Sequence, residues 1–98
     1  MENKSYQLRY LSIFETDLLS TVNYITNILK NDDAALRLVD DIESAILKRL
    51  ENPLAFEPYC SAKRREYPYY RIYVRNYVVY YVVIGNVMEV RRLIYKST

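Results

Sequence analysis

Apolar and polar positions follow two different periods along this chain. Tyr6, Leu8 and Tyr10 alternate with Gln7 and Arg9, the two-residue period of a strand over residues 6–11. The spacing then lengthens. Phe14, Leu18, Val22, Ile25 and Leu29 recur every three or four positions and predict an amphipathic helix over 12–30. Glu15 and Asp17 near its start and Lys30 at its end complement the helix dipole. Asn31-Asp32-Asp33 interrupts the pattern and offers an N-cap. A second helix follows over 33–51, with Ala35, Leu38, Val39, Ile42, Ala45, Ile46 and Leu50 as its apolar face. The short joint predicts an antiparallel helical hairpin, which Asn52-Pro53 closes.

Residues 53–68 show no period, and all three prolines of the chain fall there besides the run Lys63-Arg64-Arg65; they read as a loop ahead of three strands, Tyr69–Val74, Tyr77–Ile84 and Val87–Tyr95. Arg75-Asn76 and Gly85-Asn86 are short enough for tight hairpins, and Gly85-Asn86 suits a turn with positive φ. The order β-α-α-β-β-β predicts an α+β fold, a helical hairpin packed on a small antiparallel sheet. Alternation puts Tyr70, Ile72 and Val74 on the core side and Arg71, Tyr73 and Arg75 on the outer side. The middle strand is apolar or aromatic on both sides, so both are covered or one is left for a partner. In the last strand strict alternation places one of Arg91 and Arg92 on each face, and a single bulge would change that assignment.

Composition narrows the chemistry. The 98 residues fit one domain over 1–98, and 51% hydrophobic with 27% charged is an ordinary globular profile. No apolar run approaches the ~18–20 residues that span a bilayer, and the first ten residues hold no signal-like stretch. The expected compartment is the cytoplasm, where the single Cys60 is an inert thiol. The absence of histidine excludes Ser-His-Asp and Cys-His catalysis and Cys/His zinc sites, and a single glycine excludes a P-loop or dinucleotide fingerprint. No metal or other cofactor is implied.

Charge is divided unevenly. Residues 1–58 carry six Lys and Arg against ten Asp and Glu, whereas residues 59–98 carry eight against two, along with nine of the twelve tyrosines. Most of these tyrosines can be explained as amphipathic strand cover. Interleaved with Arg71, Arg75, Lys96 and Lys63–Arg65, they also suit a polyanionic partner, since guanidinium groups grip phosphate and phenol rings stack on unpaired bases. Cationic groups could stabilise a phosphorane and a tyrosine could move a proton, provided its ordinary pKa of ~10 were depressed.

These residues resemble the RelE/ParE superfamily of toxins from bacterial type II toxin–antitoxin modules. The resemblance is carried by Asn52-Pro53 after the second helix, by YYRIYVRNYVVYYVV at 69–83 and by VMEVRRLIY at 87–95, and it runs end to end. It implies a toxin held inactive by a cognate antitoxin. RelE-like members are mRNA endonucleases that mostly work on the ribosome, and this metal-independent activity is the first expectation. On it Arg71, Arg92 and Tyr95 take catalytic positions, while Lys63, Arg64, Arg65, Tyr73, Arg75 and Lys96 bind nucleic acid. ParE-like members instead poison DNA gyrase without hydrolysis, which is the alternative, along with a decayed toxin that only binds its antitoxin. The departures favour the alternative. Val78 stands where RNase-active members usually have an arginine, and Tyr95-Lys96-Ser97-Thr98 replaces a Gly-Arg-Arg-like cluster.

Overall fold

A computed structural model describes residues 5–59 and 66–96. The elements run β1 (Gln7–Tyr10), α1 (Ser12–Asn23), a π-helical turn (Tyr24–Ile28), α2 (Asp32–Leu50), β2 (Tyr70–Val74), β3 (Tyr77–Ile84) and β4 (Val87–Tyr95). This is the expected α+β order. The four strands lie in the order β1-β4-β3-β2. β2, β3 and β4 form the antiparallel meander that their short turns dictate. The expectation of a wholly antiparallel sheet needs one correction, because β1 joins β4 in parallel, Gln7 opposite Val87 and Tyr10 opposite Val90. The helical hairpin between them is the long crossover that a parallel neighbour requires.

The first helix also differs at its end. Its hydrogen bonds widen to a five-residue step, with the Leu29 N–H donating to the Tyr24 carbonyl at 3.1 Å, and Lys30 turns out of the helix at φ 56°. The wider turn advances more slowly around the axis. Leu29, expected on the inward stripe, is therefore exposed, while Phe14 and Ile25 remain buried. Asn31 caps α2 as its position predicts, its Oδ1 accepting from the Ala34 N–H at 3.0 Å. Lys48 and Arg49 occupy the last turn of that helix.

The core lies between the helices and one sheet face. Phe14, Ala35, Leu38, Ile42 and Ile46 meet Tyr70, Ile72, Val79, Tyr81, Met88, Val90 and Leu93 there. Tyr81 is fully buried, and its ring stacks on Tyr70 with centroids 5.2 Å apart. Its hydroxyl donates to the Pro53 carbonyl at 2.8 Å and accepts from Arg49 Nη1 at 3.0 Å. The Asn52-Pro53 stop of α2 thus sets the chain where a core phenol can bind it. Across the sheet, Val78 and Val82 are buried as well, outside the cluster covered by the helices. Tyr73 and Ile94 flank Val78 in the neighbouring strands. The middle strand is therefore covered on both sides.

Candidate functional site

The sheet face turned away from the helices carries the cationic and aromatic side chains. Arg71 sits on β2 opposite Tyr80, which in turn faces Arg92 on β4. The Arg71 guanidinium lies 4.5 Å from the Tyr59 ring centroid and 5.5 Å from that of Tyr73. Its strand is tied to α2 through Arg49 Nη1, which donates to the Arg71 carbonyl at 3.1 Å. At the end of β4 the Lys96 N–H donates to the Asn76 carbonyl at 2.7 Å, and its ammonium lies 5.2 Å from the same Tyr73 ring. Tyr73 is 54% exposed. Among the described residues neither Arg71 nor Lys96 pairs with a carboxylate. Both cations are therefore held against one exposed ring without a carboxylate to offset their charge.

Arg9, Arg75, Arg91 and Arg92, by contrast, are each paired with a carboxylate. The pairing of β3 with β4 slips between Tyr80 and Tyr81: Tyr80 faces Arg92 and Tyr81 faces Val90, leaving Arg91 as the extra residue of a bulge. Strict alternation, with one arginine on each side, fails for this reason. Val90 and Leu93 both reach the core and neither arginine does. Arg91 Nε donates to Glu89 Oε1 at 2.9 Å, and Arg9 Nη2 lies 2.7 Å from Glu89 Oε2. Burial alone would raise the Glu89 pKa, but the hydrogen bonds and charges of Arg91 and Arg9 outweigh it and hold the carboxyl below its ordinary value. Arg92 makes a two-pronged contact with Asp17 of α1, at 2.8 Å and 3.2 Å, while the Leu93 N–H donates to Asp17 Oδ2 at 3.0 Å. β4 extends past the end of β1 here, and the carboxylate takes up an edge N–H that β1 leaves without a strand partner. Burial raises the Asp17 pKa, and the Arg92 and Leu93 contacts more than offset it, for a net lowering. Arg75, which adopts φ 55° in the β2–β3 turn, forms an ion pair with Asp41.

The three expected catalytic side chains are not brought together. Arg71 and Arg92 flank Tyr80 in one cross-strand row. Tyr95 faces Tyr77, whose other partner is the core residue Val74, so it belongs to the opposite sheet face. Its ring meets Tyr77 edge-on at 5.3 Å. There it lines a groove with Tyr24, Leu29, Arg75 and Asn76. Tyr10, Tyr77 and Tyr81 all have pKa values raised chiefly by burial, the opposite of what a phenolic base needs. Of the expected nucleic-acid contacts, Tyr73 and Lys96 join Arg71, whereas Arg75 is engaged by α2. Lys63, Arg64 and Arg65, like Cys60, lie outside the described residues. Sequence reasoning gave no role to Glu89, Arg49 or Tyr59. The Glu89/Arg91 spacing of two on one strand was the available signal for the first; the other two depend on tertiary contacts.

Residues 8–97 match the profile of a protein family described as ParE toxin of type II toxin-antitoxin system, parDE. No curated protein matches the chain in sequence. A solved structure titled as the chromosomal ParDE TA system from P. aeruginosa superposes with a TM-score of 0.73 at 15% identity, covering 96% of this chain and 99% of that one. At that identity the superposition speaks for the fold.

Proposed function

Because the chain belongs to the ParE toxin family of type II toxin–antitoxin systems, we propose that it inhibits DNA gyrase by binding, without hydrolysing mRNA. Its cognate antitoxin is the partner that holds it inactive. The observation that carries this reading is the separation of the would-be nuclease groups. Metal-free phosphodiester cleavage needs a cation and a proton-transfer group converging on one phosphate. Here Arg92 is already matched by Asp17, and Tyr95 belongs to the other face of the sheet. Arg71, Tyr73 and Lys96 remain as contact residues on an outward face. Binding requires only that such groups be presented from an ordered main chain, to which the Arg49 bond to the Arg71 carbonyl contributes.

The test is a two-armed assay on purified toxin. One arm supplies gyrase with relaxed plasmid; the other supplies translating ribosomes with a reporter mRNA. The expected outcome is blocked supercoiling or accumulated DNA cleavage complexes, with intact message. Arg71→Ala should weaken that inhibition about ten-fold, the equivalent of ~1.4 kcal/mol. Cleavage of the message at discrete codons with normal supercoiling would replace this reading with the endonuclease one.

A further inference from the structure

We infer that the outward sheet face around Tyr73 is a binding platform for single-stranded DNA, so that the toxin touches the nucleic acid of its target complex as well as protein. This rests on the gyrase reading above for the choice of DNA, and on the geometry for the rest. Three features converge. First, Arg71 and Lys96 are cations of this face with no carboxylate partner among the described residues, whereas Arg9, Arg75, Arg91 and Arg92 each have one. Second, both cations lie over the ring of Tyr73, which is 54% exposed, and Arg71 also lies over Tyr59 at 40%. A ring open to solvent with cations at its margin offers a base a stacking surface and the adjoining phosphates a counter-charge. Third, Arg71 and Tyr73 are alternate residues of one strand, roughly 6.6–6.8 Å apart along it. That repeat is of the same order as one nucleotide of an extended, unstacked strand. A duplex has no free base faces to lay on Tyr73, and a purely acidic chain such as polyglutamate supplies charge for the cations but no flat ring to stack there.

The main chain beneath the face is fixed in place. Arg49 holds the β2 main chain at Arg71, and Asn76 holds the main chain of Lys96. Ordering on binding is therefore limited to two flexible cationic side chains.

The experiment measures binding of the full chain to labelled oligonucleotides by fluorescence anisotropy across a salt series. The probes are single-stranded DNA, the same sequence as RNA, the corresponding duplex, and polyglutamate as competitor. Binding should favour single-stranded DNA over the duplex and resist polyglutamate. Arg71→Ala with Lys96→Ala should weaken it at least ten-fold and lower the salt slope by about 1.4, given ~0.7 per phosphate on a single strand. An equally discharged control, Arg37→Ala with Lys48→Ala on α2, should change it less than two-fold. Tyr73→Phe should bind as wild type, while Tyr73→Leu should lose roughly ten-fold through lost stacking. Equal losses in the two discharged variants, displacement by polyglutamate, preference for duplex or for RNA, or no binding would each overturn the proposal. A toxin that blocks gyrase but does not bind single strands refutes the platform alone. A toxin that binds them through these residues but leaves gyrase untouched refutes the gyrase reading alone.

Discussion

Tyr81 shows how one side chain can serve core and loop together. Its ring fills the centre of the sheet, and its hydroxyl links the Pro53 carbonyl to Arg49. Replacing it with phenylalanine preserves the packing but leaves buried polar groups unpaired, and a loss of about 1–3 kcal/mol is expected in urea unfolding. Asp17 and Glu89 are the titratable counterparts. Both carboxyls have folded pKa values below their unfolded ones. Their contribution is complete above the unfolded values of about 4, and it is lost as the pH falls through the lower folded values. Asp17→Asn and Glu89→Gln should therefore be destabilised at pH 7, and the gap to wild type should close as thermal melts are taken to increasingly acid pH. At this scale the sequence was readable where alternation held, as at Arg71 and Tyr73. It was not readable for Arg91 and Arg92, because one extra residue in β4 moved both off the core side.

Elements are set by short local signals and adjusted by their neighbours. The Asn31 cap and the break at Asn52-Pro53 were visible in the residues themselves. Asn31→Ala should cost about 1 kcal/mol, read from the unfolding midpoint, since its Oδ1 accepts from the Ala34 N–H. Gly85 holds φ +61° in the β3–β4 turn, and a Cβ there would meet nothing within 4 Å. Gly85→Ala should therefore cost about 1–2 kcal/mol from backbone strain alone, without a packing clash. Two features had no local signal. The widened turn at Tyr24–Ile28 breaks the helical phase that Leu29 seemed to continue. The parallel docking of β1 on β4 depends on where the hairpin returns the chain, which no residue of β1 encodes by itself.

Over the whole molecule, the uneven charge seen in the sequence resolves into two kinds of cation. Arg75 and Arg92 of the basic segment reach back to Asp41 and Asp17 of the acidic helices, so part of the asymmetry is internal pairing. Arg71 and Lys96 are left at the outward face, and the toxin is read as acting through them. The α+β order was legible because each element keeps its own period. The candidate site was legible only in part, since the sequence lists arginines and tyrosines without showing which are already paired. The most direct measurement is made in cells shortly after toxin induction, following plasmid topology and the integrity of one reporter mRNA in the same samples. The account predicts loss of negative supercoiling or trapped DNA breaks while the message stays whole, with both effects on DNA diminished for Arg71→Ala. A message cut at discrete codons while plasmid supercoiling stays normal would contradict it.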